Sequence, residues 1–331
     1  MKLPDDFIND VWYSRHIVSL LLLPFSWLYS LIVLLRRICY QTGLLAVNQI
    51  DAPVIIVGNI SVGGTGKTPL VIWLAKYFKQ KGFKPGIISR GYGGKPSKKP
   101  QQVRADSNPV VVGDEPVLIA KNTGCPVAIA TQRRRAAEEL LDHCSCNLII
   151  CDDGLQHYSL DRDIEIAVID GQRRFGNGRC LPAGPLREPV SRLGSFDLVV
   201  SKNIAGRHEF KMEYIYSEPR SIAEPNQTLS IEEWSGKNVH AIAGIGNPDR
   251  FFAYLRNRKI KIIMHEYPDH YVYREEDICF DDGLPVVMTE KDAVKCVPFA
   301  SVQHWYLPIK ANLPETFTYR LDSFMKDILN G

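Results

Sequence analysis

The sequence predicts an α/β protein built around a parallel sheet, and three observations carry that prediction. An apolar run at residues 54–57 leads into a glycine-rich loop and then into a helical pattern. Apolar runs and helical spacing then alternate to about residue 202, which is typical of parallel strands covered by helices. The alternation lapses and resumes at about residue 239, which predicts a second, smaller α/β unit.

Composition narrows the class of protein. The 331 residues carry 40 Lys and Arg against 37 Asp and Glu, a formal net charge of +3. This near balance argues against a nucleic-acid partner, and no obligate protein partner is evident. The eight cysteines are scattered without a C-x-x-C pair, so we expect reduced thiols rather than disulfides or a zinc site.

The N-terminal region contains an uncharged stretch, residues 17–35, that is just long enough to cross a hydrocarbon core of ~30 Å. Three interpretations stay open: a helix lying in the membrane surface, a spanning helix, or a buried core helix. Pro24 in mid-run weakens the spanning helix. A polar stripe favours a helix lying in the membrane surface or against its own domain, and it consists of Arg15, Ser19, Ser26, Ser30 and Arg37. We predict a membrane-associated segment at residues 1–40.

The remaining elements follow in order. Helices are predicted at residues 70–81, 117–121, 136–143, 249–256 and 322–329, and strands at 86–91, 110–112, 126–131, 148–151, 164–170, 198–202, 239–244, 260–264 and 286–289. Residues 91–102 are expected to be a loose loop whose Lys95, Lys98 and Lys99 either touch phosphate or are simply solvated. Residues 210–216 are expected to be an edge or linking strand. The predicted domains are 41–205, a β linker at 206–235, and 236–331.

The loop after the first strand carries the clearest chemical signal. It matches G-x-x-x-x-G-K-[ST] except at the first position, where Ser61 replaces glycine. We expect its backbone amides to hold a polyphosphate, Lys67 to reach the terminal phosphates and the Thr68 hydroxyl to bind Mg²⁺. The predicted ATP-binding residues are Ser61, Val62, Gly63, Gly64, Thr65, Gly66, Lys67 and Thr68. The alternative is a glycine-rich turn that only caps a helix.

Carboxylates follow a second apolar strand. Asp152 and Asp153 end the run at 148–151, the arrangement in which phosphate-loop proteins support Mg²⁺, although either could instead cap a turn. His157, close behind, either is structural or orients a carboxylate. A Gly- and Pro-rich loop at 171–189 is too irregular for a regular element, and long loops are usually functional. Its candidates for binding an anionic substrate or positioning metal are Arg173, Arg174, Arg179, Arg187 and Glu188.

Three further clusters lie at strand-to-helix corners or strand ends. Asp114 stands at a corner, and the segments 265–271 and 289–292 each follow a strand, so both should project from the carboxyl edge of the second sheet. Each could equally be an ordinary turn. Gly244 and Gly246 do not make a dinucleotide site, because Asp249 occupies the place of the third glycine.

Taken together, these segments resemble the tetraacyldisaccharide 4'-kinase (lipid A 4'-kinase) family. The resemblance runs through VGNISVGGTGKTP at 57–69, SRGYG at 89–93, GDEP at 113–116, DDGLQH at 152–157, RFGNG at 174–178, LPAGPLRE at 181–188, AGIGNP at 243–248, YPDH at 267–270 and TEKDA at 289–293. It implies two Rossmann-like domains joined by a β linker, an N-terminal membrane-associated helix, and transfer of the ATP γ-phosphate to a lipid disaccharide at the cytoplasmic face of a bacterial inner membrane.

The resemblance also implies roles for single residues. Asp114 paired with His270 would accept the hydroxyl proton, and Lys67 would serve the phosphates. The supporting or substrate-binding residues would be Asn59, Arg90, Gln156, His157, Arg187 and Glu188. Two other classes remain as rivals: a membrane-associated switch ATPase, whose extra lysine is replaced by Val62 here, and a module that binds nucleotide only structurally.

Overall fold

The computed structural model describes residues 5–14, 16–94 and 99–330. Arg15 of the predicted polar stripe and Lys95 and Lys98 of the predicted basic loop lie outside these residues. The strands are β1 Val54–Gly58, β2 Pro85–Ser89, β3 Gln101–Val103, β4 Val127–Ile129, β5 Leu148–Asp152, β6 Ile164–Asp170, β7 Leu198–Lys202, β8 Phe210–Tyr216, β9 Arg220–Ser221, β10 Asn238–Ala243, β11 Lys261–Glu266, β12 Val286–Thr289, β13 His304–Leu307 and β14 Ile309–Asn312. The α-helices are α1 Asp5–Tyr13, α2 Ile17–Leu21, α3 Leu23–Gln41, α4 Lys67–Gln80, α5 Pro109–Val112, α6 Asp114–Thr123, α7 Arg133–Cys144, α8 Asp249–Asn257, α9 Glu275–Ile278, α10 Glu290–Cys296 and α11 Glu315–Asn330.

The first sheet has nine strands in the order β14-β8-β7-β6-β1-β5-β2-β4-β3. Strand β1 is central, and its alternate side chains enter two separate cores because successive residues of a strand point to opposite faces. Ile55 packs with Leu74 of α4 on one face, while Ile56 packs with Leu140 of α7 on the other. The predicted α/β class with a parallel sheet is therefore confirmed.

The second sheet has five strands in the order β11-β10-β12-β13-β9, with β10 and β12 inside it. Trp234, Phe251 and Trp305 fill the core on one of its faces. The chain then returns to the first sheet, since β14 pairs with β8 and Phe317 of α11 lies in the first core. The domain boundaries set out above stay a prediction.

Three local predictions are wrong. Residues 110–112 form a helical turn rather than a strand, because the Asn108 side chain accepts a hydrogen bond from the Val110 amide and Pro109 follows it at a position that suits proline. Strand β8 is not an edge strand, since it pairs with both β7 and β14. Gln101 and Gln102, assigned to a loop, belong to β3, which pairs with β4.

The uncharged stretch at residues 17–35 lies in two helices, α2 and α3, and α3 is long and apolar enough to cross a membrane by length and composition. Pro24 lies in the first turn of α3, where its missing amide proton breaks no hydrogen bond. The helices dock by their polar side: Ser19 and Ser26 are buried and donate hydrogen bonds to the carbonyls of Ala183 and Cys180, at 2.6 and 2.7 Å. The apolar side chains are exposed, among them Phe25, Trp27, Leu28, Leu31, Ile32 and Leu35. The core-helix interpretation is therefore wrong.

Candidate active site

The glycine-rich loop lies between β1 and α4, at the carboxyl end of the central strand. Gly66 adopts a left-handed conformation (φ 98°), and a β-carbon there would collide with the Tyr214 hydroxyl, so both the backbone and the space require glycine. The long loop at 171–189 braces it: the Val62 amide donates to the Pro185 carbonyl at 2.8 Å, and the Arg187 amide donates to the Ile60 carbonyl at 2.6 Å. The two loops that sequence analysis singled out thus form one structure.

Lys67 begins α4 and faces Asp153. Its Nζ atom lies 3.4 Å from an Asp153 carboxylate oxygen, and an Arg187 guanidinium nitrogen lies 3.3 Å from both oxygens of the same carboxylate. Burial raises the pKa of Asp153, but Lys67 and Arg187 outweigh it and hold that pKa below its usual value. Two cations therefore converge on the Asp153 carboxylate beside the loop, and cations at this place suit a polyphosphate.

Asp152, at the end of β5, is buried with one carboxylate oxygen that has no hydrogen-bond partner in the described chain. Burial raises the pKa of this group to about 7, and Glu115 and Asp153 add to the effect. Thr68 is buried at the start of α4. The described residues hold no group of three or more His, Cys, Asp or Glu arranged to bind a metal. Mg²⁺, however, takes one or two carboxylates plus phosphates and waters, so this oxygen-only set fits Mg²⁺.

Several predicted supporting residues form a brace behind the loop. The Gln156 amide donates to the Asn59 carbonyl at 3.1 Å and to Glu188 at 2.8 Å, and the Tyr158 hydroxyl donates to Glu188 at 2.6 Å. Glu188 and Asn59 are fully buried, so the contacts seen here are with the protein itself. The arrangement fixes the loop rather than presenting a binding surface.

His157 and Arg90 lie outside that brace. Burial lowers the pKa of His157 to about 4, and Arg133 and Arg90 act in the same direction, so the imidazole is neutral at physiological pH. Arg90 follows β2 and is exposed. The supporting roles of His157 and Arg90 therefore stay predictions.

Asp114 and His270 meet although 156 residues separate them. Asp114 is buried at the start of α6, and His270 Nδ1 lies 3.0 Å from each of its carboxylate oxygens. Burial raises the pKa of Asp114 and lowers that of His270, but their mutual hydrogen bond reverses both: the pKa of Asp114 is lowered and that of His270 is raised. His270 has a left-handed backbone conformation (φ 61°), and its ring also contacts that of Tyr92.

Sequence analysis missed three residues beside this pair. Lys291, at the start of α10, places Nζ 3.1 Å from Glu115, 3.0 Å from Asp269 and 3.9 Å from Asp114. The position of segment 289–292 at a strand end and the TEKDA segment of the resemblance were the signals, and neither gave Lys291 a role of its own. One cavity connects the phosphate-binding loop with the residues around Lys291. Its walls include Lys67 and Thr68 on one side and Glu115, Asp269 and Lys291 on the other.

Comparisons with known proteins show which family the chain resembles. A family model described as "LpxK: Tetraacyldisaccharide-1-P 4'-kinase" matches residues 18–326. Tetraacyldisaccharide 4'-kinase of Nitrosococcus oceani is 48% identical over 315 residues (95% of this chain, 93% of the relative), and that of Methylobacillus flagellatus is 49% identical over 319 residues (95% and 94%).

A solved structure is also similar. The crystal structure of LpxK from Aquifex aeolicus in complex with ATP matches with a TM-score of 0.79 and 30% identity, covering 93% of this chain and 99% of that one. The similarity extends over nearly the whole length of both chains, so it includes the two sheets and the loops between them. On these grounds the chain belongs to the tetraacyldisaccharide 4'-kinase family.

Proposed function

We propose that this protein transfers the γ-phosphate of ATP to the 4'-hydroxyl of a tetraacylated glucosamine disaccharide 1-phosphate, forming lipid IVA in lipid A biosynthesis. The observation that carries the proposal is the shared cavity. A phosphate-binding loop with Lys67 forms one side of it, and the residues around the Asp114–His270 pair form the other. The reaction itself is inferred from membership of the tetraacyldisaccharide 4'-kinase family.

ATP would bind through residues 61–68, with Lys67 on the terminal phosphates. The loop between β10 and α8 lies beside the phosphate-binding loop, since a β-carbon on Gly246 would lie 3.8 Å from the Gly64 amide nitrogen. Thr68, Asp152 and Asp153 would hold Mg²⁺, which when bound neutralises charge on the phosphates. Arg187 holds Asp153, while Gln156 and Glu188 keep the loop in shape.

Transfer requires the acceptor hydroxyl in line with the bond that breaks. The acceptor oxygen forms a bond to the γ-phosphorus, the bond from that phosphorus to the oxygen bridging to the β-phosphate breaks, and ADP leaves. Asp114, kept ionised by its lowered pKa, accepts the hydroxyl proton, and His270 orients the carboxylate.

The acylated sugar needs space beside Asp114. Asp114 and His270 also border a second cavity of about 370 Å³, whose walls include Val110, Val272 and Val297. These three valines are each about half exposed, so the cavity presents an apolar rim beside the proposed base. That combination suits an acceptor that carries fatty acyl groups next to its reacting hydroxyl.

The lipid acceptor would be met at the cytoplasmic face of the bacterial inner membrane. The polar side of helices α2 and α3 is occupied by the protein's own loop, and the apolar side of α3 is left exposed. A membrane surface is the partner that such a face suits. We therefore favour a helix lying in the membrane surface over a spanning one.

The experiment that tests the function measures ATP turnover with and without a tetraacyldisaccharide 1-phosphate in mixed micelles, with mass spectrometry of the lipid. The expected result is turnover that depends on the acceptor and a product heavier by one phosphate at the 4' position. Acceptor-independent turnover would favour the switch ATPase, and absence of turnover would favour a structural nucleotide-binding module.

The membrane contact has its own test. Trp27→Glu with Leu31→Glu places charge on the exposed side of α3, and Tyr319→Glu is the control because Tyr319 is 80% exposed on α11. We expect the double variant to lose co-sedimentation with anionic phospholipid vesicles while its ATP affinity is unchanged. Equal vesicle binding by all three proteins would contradict the proposed contact.

A further inference from the structure

Lys291 is a cation in the cavity to which the proposed mechanism gives no role. Its ammonium group lies between Glu115 of the first sheet's unit and Asp269 of the second, at 3.1 and 3.0 Å. The side chain is 16% exposed, and the residue lines the cavity together with Lys67 and Thr68. It is therefore a cation that the second unit supplies at the wall of the nucleotide site.

The charges around Lys291 do not balance. Three carboxylates, from Asp114, Glu115 and Asp269, lie within 3.9 Å of its Nζ atom. His270 is the other basic group in contact with this cluster, and it is committed to Asp114 at 3.0 Å. Burial lowers the pKa of Lys291, but Glu115, Asp114 and Asp269 raise it above its ordinary value, so the group stays cationic.

Lys295, one turn further along α10, offers a comparison within the same helix, and it borders the cavity of about 370 Å³ beside Asp114. It pairs with Asp292 at 2.8 Å, and both residues belong to the second unit. It does not line the cavity that contains the phosphate-binding loop. Lys291, by contrast, bridges the two units and faces the loop, so its position is explained by a ligand as well as by packing.

A nucleotide triphosphate would compete with these carboxylates. Its terminal phosphate carries more charge than any one carboxylate and offers several acceptor oxygens. A lysine on a flexible stem can change partners over a few ångströms, since its ammonium group binds as a point charge. The carboxylates that hold Lys291 before binding would keep it extended into the cavity.

We propose that Lys291 binds the terminal phosphate of ATP and stabilises the charge that develops on it during transfer. In the structure described here it is held by Glu115 and Asp269, and it moves to the phosphate when ATP enters. The second unit thus supplies a catalytic cation as well as His270. The inference rests on the proposed function only for the identity of the nucleotide.

Binding experiments without the acceptor test this directly. Dissociation constants for MgATP and MgADP are measured by titration calorimetry for the full chain, for Lys291→Met and for Lys81→Met. Lys81 pairs with Asp322 at 2.9 Å on the surface, so it is the matched control. We expect Lys291→Met to weaken ATP binding about tenfold and to leave ADP binding unchanged, because only ATP has the phosphate that Lys291 contacts.

Turnover gives the second readout. Lys291→Met should lower kcat about 100-fold, and Lys291→Arg should restore part of that loss because it restores the charge. If ATP and ADP affinities fall equally, or neither changes, Lys291 only joins the two units and the proposal is wrong. That outcome leaves acceptor-dependent turnover by the unmodified protein intact, so it is separate from failure of the proposed function.

A variant of a neighbouring residue tests the proposal even if Lys291→Met does not fold. If thermal melting shows that Lys291→Met does not fold, Glu115→Gln removes one competing carboxylate while keeping the lysine. It should raise the affinity for ATP more than that for ADP. Equal effects on the two nucleotides would overturn the proposal.

Discussion

Two charged clusters lie at the cavity that Lys67 and Lys291 line, and they are built in different ways. The phosphate cluster joins Lys67, Asp153 and Arg187, all supplied by loops at the carboxyl ends of strands in the first sheet. The base cluster joins Asp114 from the first unit with His270 and Lys291 from the second. The first cluster can form within one unit, whereas the second exists only when the two units meet.

The clusters also differ in burial. In the phosphate cluster the side chains of Asp153, Arg187 and Lys67 are 34%, 27% and 12% exposed, whereas those of Asp114 and His270 are 4% and 21% exposed. Charge interactions weaken with exposure to water. The base cluster contains the most deeply buried of these charged groups, Asp114, so it should affect stability as well as turnover.

The largest fall in turnover is expected from substitutions in the phosphate cluster. Lys67→Ala should lower kcat by about 10³–10⁴-fold, because a cation on the transferring phosphate is removed. The melting temperature should stay within experimental error of the unmodified protein. Activity is measured as phosphate transfer to the lipid acceptor, and near-normal activity would show that the loop does not serve ATP in this way.

The phosphate cluster could be predicted from the sequence more fully than the base cluster. Lys67, Thr68, Asp152 and Asp153 were predicted from the residues themselves, because each follows a strand in a motif with a physical reason. The contact of Asp114 with His270 came only from the family resemblance, since no local pattern brings together residues 156 positions apart. Lys291 was missed because a lysine after a strand end is unremarkable until its partners are known.

The fold, too, could be predicted from local sequence patterns only in part. Strands β6, β7 and β12 were predicted with the right bounds, since continuous apolar runs identify buried strands. The return of β14 to pair with β8 was not predicted, because an edge strand of four residues carries little pattern. Residues 110–112 read as a strand until the capping by Asn108 was visible.

A second prediction concerns stability within the phosphate cluster. Asp152→Asn should abolish turnover and yet raise the free energy of unfolding of the nucleotide-free protein by about 1 kcal/mol, because it replaces a buried carboxylate that lacks a full set of partners. Urea unfolding at pH 8 without Mg²⁺ measures the change. A loss of stability would mean that the carboxylate is satisfied by the protein and is not kept for a ligand.

A third prediction uses pH to separate the clusters. The pKa of His270 is raised above 6.5, so its ion pair with Asp114 contributes fully below that pH and is lost as pH rises through the folded value. The pKa of Asp114 is lowered below 3.8, so the same contribution is lost as pH falls through the folded value of that carboxyl. The pair should therefore stabilise the protein most between about pH 4 and pH 6.5.

The variant that measures this is His270→Asn, because asparagine tolerates the left-handed backbone at that position. We expect it to lower the free energy of unfolding by about 1–2 kcal/mol at pH 5.5 and by less at pH 8.5. In an Asp114→Asn background the pH dependence should vanish. A difference that is the same at both pH values would show that His270 contributes through packing rather than charge.

The central claim is that Asp114 and His270 act as one unit across the two sheets, and a double-mutant cycle on kcat tests it most directly. Asp114→Ala should lower kcat by about 10²–10³-fold with ATP binding largely intact, and His270→Ala should do so less severely. If they act together, the double variant should be little worse than Asp114→Ala alone. Defects that multiply in the double variant would contradict the claim and leave His270 as a structural residue of its turn.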